Sequence, residues 1–260
     1  MLGIRPFWRY YGGKWRAAPR YPAPLYDTIV EPFAGSAGYS LRYPERKIVL
    51  IEKYPVIAEM WRYLIAVRES ELLAVPEVES VDDLPSWVSP GARYLVGFCM
   101  NDAAASPSKT LSAGVRWMQN RTHTSGWTEQ RKLNIAGNLP RIRHWAVIEG
   151  DYSDAPDIPA TWFIDPPYCG PPGRHYKHAD VDYPRLGDWC KTRPGQVIVC
   201  ENAGATWLPF RSFATLKAGI NGKGSAEVIW TSGDLAGAMR RNADARAGLL
   251  SAFVGLTETV

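Results

Sequence analysis

Two strand–turn–helix units in series constrain this chain more than any other feature. "YDTIVEPF" reads as a short buried strand over Thr28–Val30, stopped by Pro32, which has no N–H for a sheet ladder. "GSAGYSLRY" then suits a turn leading into a helix. "RKIVLIEKY" is a second strand, Lys47–Ile51, ending at Glu52. Pro55–Val67 follows, with apolar residues at Val56, Ile57, Met60, Leu64 and Ile65. That spacing is helical, and Pro55 falls in the first turn, where its missing N–H costs nothing. Two such units imply a parallel sheet and an α/β fold.

From about Arg68 to His144 the pattern breaks. An acidic stretch is followed by "WVSPGARYLVGFCMNDAAASPSKTLSAG", rich in small and turn residues. A helix is then expected in "TEQRKLNIAGNLPRIRHW", N-capped by Thr128 and interrupted near Gly137 to Pro140. This region reads as an insertion on the edge of the sheet. Afterwards the rhythm resumes, with strands in "WAVIEGD", "ATWFID" and "GQVIVCEN". "FATLKAG" and "AEVIWTS" suit a closing antiparallel pair.

One strand ends unusually. In "FIDPPYCG" the two prolines stop the strand near Ile164, leaving Asp165 at its carboxyl end and Tyr168 on a stiff turn. In an open α/β sheet that edge is where ligands bind. Taken alone, the stretch fits equally a Pro-rich turn in which Tyr168 caps the core.

Bulk properties narrow the classes. The chain has 260 residues, 46% hydrophobic and 22% charged, as ordinary globular proteins do. No apolar run approaches the roughly 20 residues that span a bilayer. "MLGIRPFWRYYGGKWR" is basic and aromatic, without the apolar core of a secretory signal, so a cytoplasmic location is expected. Cys99, Cys169, Cys190 and Cys200 are scattered, which fits reduced thiols in a cytoplasmic protein and gives no support for a zinc site. His175 and His178 have ligand-like spacing but lack further ligands, so no metal is expected.

The net charge of +4 is unevenly spread. Residues 1–20 hold Arg5, Arg9, Lys14, Arg16 and Arg20 and no acid. Residues 111–144 hold Arg116, Arg121, Arg131, Lys132, Arg141 and Arg143 against Glu129 alone, whereas Glu69–Asp83 carries six acids and no base. Separated basic patches suit a polyanion, and tryptophans beside them add surfaces on which bases stack. For any single patch, solvated charge is the better account.

"VEPFAGSAG" (Val30–Gly38) follows a strand, and its small residues let backbone approach a ligand closely. Glu52 ends the next strand, where dinucleotide folds place the acid that binds ribose hydroxyls. The turn has neither the G-K-[ST] of a phosphate loop nor a G-x-G-x-x-G, so a nucleoside ligand without a pyrophosphate fits better.

Taken in order, "YYGGK" (Tyr10–Lys14), "EPFAGSAG", Glu52, "EGD" (Glu149–Asp151) and "DPPY" (Asp165–Tyr168) resemble the S-adenosylmethionine-dependent DNA N6-adenine methyltransferases related to the DNA adenine methylase. The motif order is similar to that family's alpha arrangement, and the resemblance spans essentially the whole chain. It implies a Rossmann-like methyltransferase sheet, with residues 1–67 and 145–260 as the catalytic domain and 68–144 as a target-recognition insertion. The implied cofactor residues are Tyr10, Gly12, Gly13, Lys14, Phe33, Ala34, Gly35, Glu52, Asp151 and Asp165. Lys14 would meet the methionine carboxylate, Glu52 the ribose, and Asp151 the junction of adenosyl group and active site; Asp151 also fits a plain turn residue. The implied catalytic set is Asp165, Pro166, Pro167 and Tyr168, with Asp165 and the Pro166 carbonyl accepting from the target amine and Tyr168 stacking on the extruded base.

The expected partner is double-stranded DNA, bound by a monomer or weak dimer through Arg116, Arg121, Arg131 and Lys132. A role in restriction-modification or a phage would fit. The resemblance leaves two rivals: N4-cytosine methylation, and a silent DNA-binding protein of the same fold. The chain departs from the family pattern at Ala37, often glycine there, and at Tyr10, commonly tryptophan, and its insertion is short.

Overall fold

The computed structural model describes residues 3–122, 125–217 and 224–232. Seven strands form one sheet: β1 (Thr28–Glu31), β2 (Lys47–Glu52), β3 (Ala146–Glu149), β4 (Ala160–Ile164), β5 (Gly195–Asn202), β6 (Arg211–Lys217) and β7 (Gly224–Thr231). Their spatial order is β3-β2-β1-β4-β5-β7-β6. The first five pair in parallel, and β7 runs antiparallel between β5 and β6. This is the mostly parallel, Rossmann-like sheet with an antiparallel closing pair that the sequence implies. Residues 218–219 of "FATLKAG", and 220–223 and 233–260 of the segment expected to complete the catalytic domain, lie outside the described residues.

The connection after β1 differs from expectation. "GSAGYSLRY" forms no α-helix, only a single 3-10 turn at Ser40–Arg42. Gly35 and Ala37 both adopt left-handed backbone, at φ 45° and 49°, which breaks a helical ladder before it can start. The Glu31 carboxylate accepts the Ser40 N–H at 2.6 Å and closes the turn onto the strand.

Helix α1 (Pro55–Ala66) follows β2, and between it and β3 the chain builds α2 (Glu69–Ala74), α3 (Pro90–Met100), α4 (Ala113–Thr122) and α5 (Glu129–Ala136). Thr128 caps α5 by accepting from Arg131 N, and a 3-10 turn follows at Leu139–Ile142. Helix α3 arises in the stretch that reads as turn-rich. Its Ser89 is an N-cap, Pro90 opens the first turn, and Leu95, Val96, Phe98 and Cys99 are buried. Its glycines serve packing instead of turning: a Cβ on Gly91 would lie 2.5 Å from Tyr63 Cβ on α1. Phe98 and Trp61 belong to one core with sheet residues such as Ile29 and Leu50.

Helix α6 (Tyr183–Thr192) crosses from β4 to β5, capped by Asp182 and burying Leu186 and Cys190 on the other face of the sheet. Among the described residues, no helix is long and apolar enough to cross a membrane.

Candidate active site

The chain leaves β1 towards β2 and β3 on one side, then returns to place β4 on the other, so β1 and β4 flank the point where strand order reverses. Ligands of open α/β sheets bind there, outside the carboxyl ends of the strands. A cleft of about 340 Å³ opens at that point. Residues 10–14, the turn after β1, the ends of β2 and β4 and the turn after β3 all reach it. All ten cofactor candidates border it: Tyr10, Gly12, Gly13, Lys14, Phe33, Ala34, Gly35, Glu52, Asp151 and Asp165.

Close backbone approach shapes the cleft. Gly12 has φ 69°, and a side chain there would run into the Tyr176 hydroxyl at 2.1 Å. A Cβ on Gly35 would lie 3.0 Å from the Tyr10 ring. On Gly38 it would lie 2.6 Å from Trp15 N and 3.0 Å from Lys14 N. Gly38→Ala must therefore shift the backbone that carries Lys14, at an expected cost of about 1–3 kcal/mol. Gly114, near the start of α4, faces open space, and Gly114→Ala should cost nothing. Denaturant unfolding of the two variants checks the contrast; equal stabilities would contradict this packing.

Glu52 is turned inward. Its Oε2 accepts Gly35 N–H and its Oε1 accepts Tyr54 N–H, both at 2.9 Å. Burial pushes its pKa up, partly opposed by those N–H groups. The Lys53 N–H adds to these donors, and a carboxylate with about four acceptor sites still has one for a hydroxyl. Asp151 caps the turn at Tyr152–Asp154 and pairs with Lys53 at 2.9 Å. Burial alone would raise its pKa, but the Lys53 and Ser153 hydrogen bonds outweigh it and leave the pKa lowered. Phe33 stacks on Tyr152, with ring centroids 5.7 Å apart.

Lys14 and Asp165 form the most enclosed pair in the cleft. Lys14 is 6% exposed, and its Nζ lies 2.8 Å from Asp165 Oδ1 and 2.9 Å from Oδ2. Only the contact to Oδ2 has hydrogen-bond geometry, so Oδ1 is a buried oxygen without a hydrogen-bond donor. Nζ also donates to the Gly12 carbonyl at 2.9 Å. The ammonium is thus turned onto protein groups. Burial raises the Asp165 pKa to about 6 even though Lys14 pulls it down. Burial also works against the charge of Lys14, but the surrounding carboxylates, Asp165 foremost, more than offset it and raise its pKa.

Beyond Asp165 the chain is firmly held. Pro167 borders the cleft, and its carbonyl accepts the Tyr183 hydroxyl at 2.7 Å; Pro166 is buried beside it. Tyr168 is half-buried and packs on the main core, with Lys14 Nζ 4.7 Å from its ring centre. Glu201 does not border the cleft; it sits behind, accepting Cys169 N–H at 3.1 Å and Trp207 Nε1–H at 3.0 Å.

Several bordering residues have no motif to announce them. Tyr176 donates to the Tyr11 carbonyl at 3.2 Å, and His178 meets the Tyr54 ring at 5.9 Å. The segment after "DPPY" thereby crosses back to the rim built by residues 10–12. The glycines, prolines and histidines of "CGPPGRHYKHAD" were the available signal. Among the described residues, no cluster of three or more metal-ligating side chains occurs.

The basic candidates separate. Arg121 is exposed and lies over the exposed Trp117 ring at 4.2 Å. Arg116 is half exposed and pairs with Glu79 at 2.9 Å. Arg131 instead points inward, donating to the Phe7 carbonyl at 3.2 Å. Lys132 corrects the sequence reading. Its Nζ is buried against the carbonyls of Leu73 and Val75 and pairs with Glu129 at 2.8 Å, because its helix face packs under α2.

No family model matches this chain, and no curated protein does. Among solved structures it is similar to the "Putative methyltransferase yhhF" of Escherichia coli, at 12% identity and a TM-score of 0.35, over 88% of each chain. A likeness at that level says nothing about ligand or reaction.

Proposed function

We propose that this protein is an S-adenosylmethionine-dependent DNA methyltransferase that modifies the N6 amino group of adenine. The observation that carries this reading is Asp165: a carboxylate at the switch point that borders the cleft and is paired with Lys14 through both oxygens. A carboxylate has more acceptor sites than one ammonium fills, and an exocyclic amine can take one of them. The cleft residues fit the cofactor by the same logic. Gly12, Gly13, Ala34 and Gly35 bring backbone to the cleft wall, and Glu52 stands at its edge for ribose hydroxyls.

S-adenosylmethionine, when bound, supplies an electrophilic methyl group; the remaining work falls to the chain. An adenine amino lone pair is delocalised into the ring and is a poor nucleophile. The Asp165 carboxylate accepts one amino hydrogen, which favours a pyramidal nitrogen with its lone pair free. It is also placed to take the proton that nitrogen sheds after alkylation. Lys14 keeps Asp165 ionised and immobile. Positioning and preorganised charge of this kind account for most of the rate. The target must leave the duplex at a cost of a few kcal/mol, offset in part by stacking on Tyr168.

In this reading residues 68–144 form the target-recognition region, and the exposed face of α4, with Arg116, Trp117 and Arg121, meets the DNA. Electrostatic contact with phosphates and aromatic stacking both favour that face.

Calorimetric titration with S-adenosylmethionine tests the cofactor assignment. Wild-type protein should bind it, and Glu52→Ala should weaken binding by about tenfold to a hundredfold, as expected for charge-assisted hydrogen bonds lost from a buried site. Unchanged affinity in Glu52→Ala would remove the ribose from this position.

A further inference from the structure

The geometry points to Glu227, on the antiparallel strand β7, as the residue that positions Tyr168 for the reaction. This inference rests on the methyltransferase reading above. Glu227 is 6% exposed, and its Oε2 accepts two phenolic hydroxyls, from Tyr168 at 2.7 Å and from Tyr21 at 3.0 Å. Tyr21 is itself immobile: fully buried, stacked on Phe213 at 4.6 Å and edge-on to Phe163 at 5.1 Å. Opposite Glu227 in register stands Asn202, next to Glu201, which holds the Cys169 N–H. The tip of Tyr168 is therefore fixed from β7, while the chain just beyond it is fixed from β5.

Stacking on a base uses only the face of a ring and has no need of a hydroxyl. Phenylalanine would stack as well. The Tyr168 hydroxyl instead engages a buried carboxylate 59 residues away. A tyrosine side chain turns about two torsions; its hydroxyl lies on the axis of the second, so anchoring it restrains the first and fixes where the ring lies. Lys14, 4.7 Å from the same ring centre, and the core packing then set the ring face. Glu227 thus acts through Tyr168 and never touches the substrate.

Single-turnover methyl transfer to unmethylated genomic DNA, at saturating S-adenosylmethionine, tests this with the full chain. Tyr168→Phe, which deletes one oxygen, and Glu227→Leu should each slow transfer by about tenfold to a hundredfold while cofactor affinity stays within about twofold. The double variant should be no slower than the slower single one, because both remove the same bond. Glu227→Gln, which keeps an acceptor oxygen, should recover most of the rate. Tyr168→Phe at the wild-type rate, or losses that multiply in the double variant, would overturn the inference. Wild-type protein that methylates no base would overturn the reading itself, and this role with it, before any variant is compared.

Discussion

Asp165→Asn should lower the proposed methyl transfer by about a hundredfold to a thousandfold and leave S-adenosylmethionine affinity within a few-fold of wild type. The substitution keeps the shape of the side chain but replaces an acceptor by an NH₂ group and removes the charge opposite Lys14. It therefore tests the carboxylate and not the space it fills. The wild-type rate has a matching pH signature. Burial holds the Asp165 pKa at about 6, and the reaction uses the ionised form. The rate should fall as pH drops through about 6 and level off above it. Rate profiles of the two proteins check this; an Asp165→Asn enzyme near the wild-type rate would sink the mechanism.

Lys14→Met has the second large effect, and on two quantities. Methionine fills a similar volume without charge, so Asp165 is left buried with no counter-ion. Its carboxyl then keeps its proton to higher pH, and the acid limb of the rate profile should move upward. Stability should also fall, by about 3–5 kcal/mol where Asp165 is ionised, since breaking a buried pair strands one charge. The sign with pH follows from the raised folded-state pKa. A group shifted this way contributes most below its unfolded value and loses that contribution as pH rises through the folded value. The deficit of Lys14→Met relative to wild type should therefore be larger at pH 8 than at pH 5. Denaturant unfolding at the two pH values measures it. A deficit independent of pH, with an unmoved rate profile, would show that Lys14 does not set the charge state of Asp165.

The strands, their ends and the acids on those ends were legible because each signal is local. A proline that cannot join a ladder stops β1 after Glu31, and another stops β4 after Ile164. Parallel pairing then brings those ends to one edge, which is why residues from four separate motifs share one cleft.

What the sequence concealed depends on contacts between distant segments. Helix α3 reads as turn-rich because Gly91 looks like punctuation, whereas its missing side chain is filled by Tyr63 of α1. The helix expected after β1 fails for the opposite reason: Ala37 holds a left-handed conformation that its residue type does not announce. Arg131 and Lys132 are adjacent and alike in charge, yet Lys132 is buried under α2 and Arg131 reaches back to Phe7. Composition cannot separate such neighbours; only packing does. Glu227 lies in no motif and gains its place through the register of β7 on β5. Lys14 is the instructive intermediate. Its place at the end of "YYGGK" marked it as part of the site, but its partner, Asp165, is 151 residues away.

The measurement that bears most directly on the central claim is nucleoside analysis of unmethylated genomic DNA incubated with the purified protein and methyl-labelled S-adenosylmethionine. Wild type should form labelled N6-methyladenine, and Asp165→Asn should not. Labelled N4-methylcytosine would keep the carboxylate chemistry and contradict the choice of base. No labelled nucleoside, from protein shown to bind the cofactor, would contradict the account of Asp165 as the acceptor for a DNA amine.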